Sequence, residues 1–326
     1  MPKKNKKFQR PWSFQLSPVE GCTRICHFCG IKRIRSGPGS MNFMSKAVYR
    51  RVSMGIAALN PQARIEIAMH GEPLAHPHLN DIIVTLRHFN PQAQIMLTTN
   101  GFRWVNSNQR MQTELELLFD LGLDIVVLDT YYPERDKLWH NAGQLERVHV
   151  IDFYGAGGKP SPWHNHRRKL RRTVFLMDDL GRRDGEIRSR IIFNHAGNAG
   201  PATTGPLHKT CTLPFRELSV AWDGDVLVCC MDWGHELVMG NVLEQSLAEI
   251  WYGSRFMAVR RFLGQKQRAF SPCSRCNHPS GSRAGLLPKL PPPTPEDARV
   301  IAEAIRQAEP RNGLAKYLGP EVIGKM

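Results

Sequence analysis

No stretch of this 326-residue chain approaches the roughly 18–20 consecutive apolar residues that a membrane-spanning helix requires. The basic opening Met1-Pro2-Lys3-Lys4-Asn5-Lys6-Lys7 is not followed by an apolar segment, so no secretory signal is expected. Internal repeats and long low-complexity tracts are missing too, which sets aside a repeat architecture. Acidic residues are scarce: 29 Asp and Glu against 44 Lys and Arg leave a formal net charge of +15. An excess of that size favours an anionic partner, such as nucleic acid or a phosphorylated substrate, without choosing between them. What is present is ordinary for a soluble globular chain, with 41% hydrophobic and 22% charged residues and enough length for one large domain and a smaller one. The eight cysteines, with no export signal, point to a reducing, cytoplasmic compartment. Clustered cysteines there usually mean metal or catalysis.

After a basic arm (residues 1–11), the chain alternates strand-like and helix-like stretches to about residue 200. Strands are expected at Trp12–Leu16, Arg64–Met69, Gln94–Thr98, Leu123–Asp129, Arg147–Phe153 and Thr173–Met177. Helices are expected at Ser45–Leu59, His78–Phe89 and Gln109–Leu121. This alternation implies a parallel sheet, and apolar runs such as Ile125-Val126-Val127-Leu128 fit strands buried on both faces. The fold class is α/β, a partial (β/α)6 TIM-like barrel, whose chemistry would gather at the C-terminal ends of its strands. A Gly/Pro/Thr-rich linker spans Asn198–Pro206. A smaller unit (207–282) follows, with a β-hairpin around Asp223-Gly224-Asp225 and a helix at Ser246–Leu263. Residues 283–326 read as a proline-rich tether and a last helix, Pro295–Ala308, capped by Thr294.

The first cysteine group, Cys22-x3-Cys26-x2-Cys29, directly follows the first strand. Three thiolates can hold three irons of a [4Fe–4S] cubane and leave the fourth iron open to the amino and carboxylate groups of S-adenosylmethionine (SAM). A zinc site remains an alternative, with His27 or His70 as a nitrogen ligand.

At these residues the chain resembles the radical SAM superfamily. Phe28 stands where that family has an aromatic before the last cysteine. His70-Gly71-Glu72-Pro73 is similar to its Gly-Gly-Glu-Pro segment, with His70 in place of the first glycine. The resemblance implies that Glu72, with Gly71 and Pro73, holds the methionine ammonium. It also implies SAM contacts from Thr99 and Asn100, at the end of the third strand. Asp129 and Thr130, ending the fourth, become candidates for the ribose hydroxyls. Helix capping is the plainer alternative for these polar strand ends.

In the second group, twelve residues separate Cys211 from Gly224 and four separate Gly224 from Cys229, with Cys273-x2-Cys276 beyond the helix. This layout resembles the SPASM and twitch extensions of the same family, in the shorter, single-cluster form. The resemblance implies that Cys211, Cys229, Cys273 and Cys276 hold an auxiliary [4Fe–4S] cluster, two clusters in all, fed by a donor such as flavodoxin or ferredoxin. A zinc ribbon is the alternative for these four. Cys230 is left over, either inert or a hydrogen-atom donor. Related dehydrogenases use an aspartate nearby to take a proton from substrate, and Asp232, displaced by two residues, is the candidate here. Asn194-His195-Ala196-Gly197-Asn198 could touch substrate or cap a turn.

The basic run from Trp163 to Arg172, with Arg182, Arg183, Arg188, Arg190, Lys32, Arg33 and Arg35, would suit phosphates if it shared one face. The expected activity is therefore hydrogen abstraction from an anionic or nucleic-acid-linked substrate, such as a modified nucleobase in DNA. An aminocyclitol dehydrogenase, a peptide-modifying enzyme and a non-catalytic nucleic-acid-binding protein are the alternatives.

Overall fold

The computed structural model describes residues 10–24, 26, 29–31, 41–131, 133–152, 170–177, 194–198, 207–278 and 287–312, the side chains of 151, 152, 195 and 309–312 excepted. Phe28, His27 and most of the basic run lie outside them, as does most of the 198–206 linker.

Strand β1 (Ser13–Leu16) is buried at all four positions. It leads through the antiparallel pair β2 (Val19–Glu20) and β3 (Asn42–Phe43) to helix α1 (Lys46–Leu59). Ser45 starts that helix by accepting the Val48 N–H, and Val48, Val52 and Ile56 form its buried stripe. The alternation continues through β4 (Arg64–Ile67), α2 (Leu79–Phe89), β5 (Gln94–Thr99), α3 (Asn108–Asp120), β6 (Ile125–Asp129) and α4 (Arg135–Gly143). Strands β7 (His149–Asp152) and β8 (Thr173–Met177) complete the barrel portion. The six strands from β1 and β4 to β8, and helices α1 to α3, agree with the sequence-based reading, which did not include the β2–β3 pair or α4.

Spatial order departs from chain order at one end. Strand β8 inserts between β6 and β7, all parallel, so β7 is the edge. Asp124 ties this region together. It is 1% exposed, its Oδ2 accepts the Ile95 N–H (2.9 Å) and Arg87 Nη2 (2.8 Å), and Arg171, two residues before β8, pairs with Oδ1. Thr130 adds a second clip: its hydroxyl donates to the Met177 carbonyl (2.7 Å) and accepts the Trp139 indole N–H (3.0 Å).

At the other end, β9 (Glu217–Val220) pairs parallel with β1, and β10 (Asp225–Leu227) and β11 (Val238–Asn241) follow antiparallel. The hairpin is thus hydrogen-bonded into one nine-stranded sheet with the barrel strands.

The helix expected at Ser246–Leu263 is two helices, α5 (Leu247–Tyr252) and α6 (Ser254–Gly264). The break falls at Gly253, which is extended (φ −70°, ψ 167°); a Cβ there would lie 2.7 Å from the Glu249 carbonyl oxygen. Arg260, fully buried on α6, locks the elbow. Its guanidinium donates to the carbonyls of Trp251 (2.5 Å) and Pro214 (2.8 Å) and covers the Trp251 ring at 3.9 Å. That grip also fixes the 3₁₀ turn Leu213–Phe215 just after Cys211. Helix α7 (Pro295–Asn312) begins as expected at Thr294, whose hydroxyl accepts the Asp297 N–H (3.2 Å).

Replacing Arg260 by Met keeps the length but orphans two buried carbonyls. The expected loss is about 2–4 kcal/mol, read as a lower melting temperature; an unchanged melt would show that the elbow does not depend on this contact.

Candidate cofactor and active site

Of the expected barrel contacts that are described, Gly71, Glu72, Pro73, Asn100 and Thr130 follow C-terminal strand ends, and Thr99 and Asp129 are the last residues of their strands. After β4 the chain crosses back toward the β1 loop. The Gly21 N–H donates to the His70 carbonyl (3.2 Å), and the Glu72 N–H to the Gly21 carbonyl (2.8 Å). The crossing is so close that a Cβ on Gly71 would lie 2.2 Å from the Val19 carbonyl oxygen and 2.6 Å from that of Gly21. Only glycine fits there.

Glu72, 2% exposed, is held from three directions. Its Oε1 accepts the Leu74 N–H (3.0 Å) and the Thr99 hydroxyl (2.5 Å), and its Oε2 accepts the Asn100 N–H (2.8 Å). Burial pushes its carboxyl up to about 7, and these hydrogen bonds pull in the opposite direction. Pro73 opens the 3₁₀ turn Pro73–Ala75 that presents the Leu74 N–H. The result is a fixed buried carboxylate, suited to an ammonium group.

Asn100 joins this socket to the first thiol group: its Nδ2 lies 3.6 Å from Cys22 Sγ and 3.3 Å from Thr23 Oγ1. Cys22, Cys26 and Cys29 are each half-buried. The Cys29 N–H donates to the Cys26 carbonyl (3.1 Å) and the Arg24 N–H approaches Cys22 Sγ (3.4 Å). Burial first, then the neighbouring sulfurs, pushes the Cys26 thiol up to about 11 and Cys29 to about 12. Arg24 ties the loop to Glu134 (2.9 Å) and lies over the Tyr131 ring. The Tyr131 hydroxyl donates to Asp129 Oδ2 (2.5 Å), and the Asp129 charge is felt at Cys26, Cys29 and Glu72. Asp129 therefore faces the thiol loop, whereas Thr130 spends its hydroxyl on the β6–β8 clip.

Cys211, Cys229, Cys273 and Cys276 line a second, narrow cavity. Arg268, 2% exposed, stands on its wall, held by the carbonyls of Lys209 (3.0 Å) and His278 (3.2 Å). Its buried Nη2 has no hydrogen-bond partner among the described residues. A fixed cation with a donor to spare among four thiols suits an anionic thiolate-ligated cluster.

The loop from Cys229 to Leu237 lies between the two groups. Asp232, fully buried, accepts the N–H groups of Glu236 (2.9 Å) and Leu237 (3.0 Å), so its carboxylate pins this loop. Cys230 is half-buried and feels the carboxylates of Glu217 and Glu66. Asn194 clamps the loop after Cys276: its Nδ2 donates to the Arg275 carbonyl (2.6 Å) and its Oδ1 accepts the Asn277 N–H (3.1 Å). Arg268 and Trp233 escaped sequence reasoning, because neither lies in a spacing pattern.

Three thiols thus stand beside a carboxylate socket, and four more line a second cavity. The family described as the Radical SAM superfamily matches residues 16–152, and the iron-sulfur cluster-binding domain SPASM matches residues 211–277. The chain carries a radical SAM domain and a SPASM-type C-terminal domain, which implies [4Fe–4S] clusters and SAM. It is similar to the S-adenosyl-L-methionine-dependent 2-deoxy-scyllo-inosamine dehydrogenase of Niallia circulans, with 25% identity over 263 residues, covering 79% of this chain and 90% of that one. Its fold resembles that of BtrN in complex with AdoMet and 2-DOIA (TM-score 0.63, 22% identity, 85% of this chain and 96% of that one). It also resembles selenomethionine BtrN in an open conformation (TM-score 0.54, 19% identity, 83% and 94%). Among the described residues no helix is long and apolar enough to cross a membrane.

Substitutions at two positions test this geometry without any cofactor. Gly71→Ala is expected to force the β1 and β4 loops apart and lower the melting temperature. Asp232→Ala orphans two buried N–H groups at about 1–3 kcal/mol each, whereas Asp232→Asn keeps one acceptor and costs less. Equal melts for the two Asp232 variants would refute the pinning role.

Proposed function

We propose that the chain is a radical SAM dehydrogenase that oxidises an alcohol carbon of a small hydroxylated substrate of the aminocyclitol type. The observation that carries this reading is the four-thiol cavity with its buried cation, joined through one sheet to the SAM-type socket. The similarity to the Niallia circulans dehydrogenase across nine-tenths of that protein supports it.

In this reading Cys22, Cys26 and Cys29 hold the radical-generating cluster, and Cys211, Cys229, Cys273 and Cys276 the auxiliary one. When bound, the clusters and SAM supply the first electron, the 5′-deoxyadenosyl radical, and the sink for the electron that the substrate releases. Glu72 binds the methionine ammonium, oriented by Leu74, Thr99 and Asn100. Gly71 lets the chain pass close beneath, and Pro73 sets the turn. Asn100 steadies the Cys22 thiolate. Asp129, aimed by Tyr131, takes the ribose hydroxyls. The substrate carbon gives a hydrogen atom to the radical and its hydroxyl gives up a proton. The remaining electron leaves toward the cavity around Cys229. A flavodoxin or ferredoxin in a reducing cytoplasm is the natural donor.

The net charge of +15 favours a second reading, in which the substrate is attached to nucleic acid.

Anaerobically reconstituted protein is expected to hold about eight irons, falling to about four in Cys273→Ala/Cys276→Ala. With dithionite and SAM it should release 5′-deoxyadenosine, and with 2-deoxy-scyllo-inosamine added it should form a ketone; Cys26→Ala should do neither. Release of 5′-deoxyadenosine with no ketone would reject the aminocyclitol substrate. DNA binding that weakens steeply with salt would move the balance to the second reading. A dehydrogenation leaves Cys230 no hydrogen to return, so Cys230→Ala should keep ketone formation; its loss would point instead to hydrogen-atom return by that thiol.

A further inference from the structure

A chain of contacts links the socket to the second cavity, and it begins at the residue where this sequence departs from Gly-Gly-Glu-Pro. His70 is 1% exposed and its N–H donates to Ser17 Oγ (3.2 Å). Its Nε2 lies 3.1 Å from the Cys230 carbonyl oxygen. A carbonyl oxygen only accepts, so Nε2 carries the hydrogen and Nδ1 is left as an acceptor. His235 Nε2 approaches that Nδ1 at 3.4 Å and is its donor. The Trp233 indole stacks on the His70 ring at 4.6 Å. Trp233 also covers Gly30, next to Cys29, where a Cβ would come within 3.1 Å of the indole.

The backbone has been bent to make these contacts. Met69, immediately before His70, has φ 82°, and His235 has φ 50°. Both are left-handed conformations that side-chain-bearing residues rarely adopt, and such positions cluster where geometry serves function. The far side of the loop is fixed as well: Glu236 pairs with Arg275, between Cys273 and Cys276. The imidazole of His70, the residue before Gly71 of the socket, thus touches the loop at Cys230, Trp233 and His235, of which Cys230 directly follows Cys229.

We propose that His70 is a positioning residue that sets the register between the cosubstrate socket and the Cys229 loop, so that the geometry of the auxiliary site depends on the socket. This rests on the reading that Cys229 ligates an auxiliary cluster. The Nε2–H bond holds the Cys230 carbonyl, in the Cys230–Met231 peptide one residue beyond that ligand. Peptide groups around cluster sulfurs tune potential and spectrum, so releasing this carbonyl changes both.

The test compares His70→Gly, which restores the glycine common in this segment, with His70→Gln, whose side-chain amide supplies a donor toward the same carbonyl. Both are made in the full chain and again in a Cys22→Ala/Cys26→Ala/Cys29→Ala background, where the auxiliary cluster alone is reduced and its electron paramagnetic resonance recorded. The expected result is a changed spectrum in His70→Gly and a near-parental one in His70→Gln. In the complete enzyme His70→Gly should raise 5′-deoxyadenosine formed per substrate oxidised several-fold, with His70→Gln close to the parent. An unchanged spectrum and ratio in His70→Gly, at full iron content, overturns the proposal. If His70→Gly loses iron, His70→Gln decides: equal loss means that the imidazole only fills space, and retention with the parental spectrum supports the proposal. A parent with no auxiliary signal would instead remove the four-cysteine reading on which the inference rests.

Discussion

Strand β1 is hydrogen-bonded on both edges, to β4 on one side and β9 on the other, and the rest of the arrangement follows from that constraint. The loop that leaves β1 carries Cys22, Cys26 and Cys29. The loop that leaves β4 carries Gly71 and Glu72, and the chain beyond β9 and β10 carries Cys229 and Cys230. Pairing in one sheet fixes the spacing of adjacent strands at close to 5 Å. Two distant parts of the sequence are thereby held against the first thiol loop by ladder hydrogen bonds rather than by flexible side chains.

Electrostatics then shape both centres. Taking a carboxylate or thiolate out of water is costly, and burial is the largest cause of the raised values at Glu72, Cys26 and Cys29. The protein offsets that cost with fixed donors. Backbone N–H groups and a hydroxyl serve Glu72, the Asn100 amide serves Cys22, and the Arg268 guanidinium stands among the four thiols of the second cavity. Such donors are in place before any cofactor arrives, and preorganisation of that kind gives a buried anionic site its strength.

The periodicity of the barrel was legible in the chain. Six strands and their helices could be read from alternation alone, as could the Thr294 cap and the Asp-Gly hairpin. The places where that reading fell short have local causes. The insertion of β8 between β6 and β7 brings Arg171 to Asp124, a meeting of residues far apart in sequence. The break at Gly253 interrupts an apolar pattern that continues smoothly on either side. Thr130, a candidate for the ribose hydroxyls, hydrogen-bonds within the β6–β8 clip, and Asn194, a candidate for substrate contact or a turn cap, clamps the Cys276 loop. Asp232 holds a turn, because its two nearest donors are backbone N–H groups of its own loop.

By itself the sequence determined the chemistry on offer: which thiols exist, at what spacing, and which glycine and glutamate follow one strand later. These are properties of local order, and a motif records them completely. Tertiary structure alone decided which groups share a volume, namely the four thiols around Arg268, the three donors on Glu72, and His70 against the Cys230 carbonyl. Such meetings depend on sheet order and strand register, which arise from long-range pairing that no local pattern encodes.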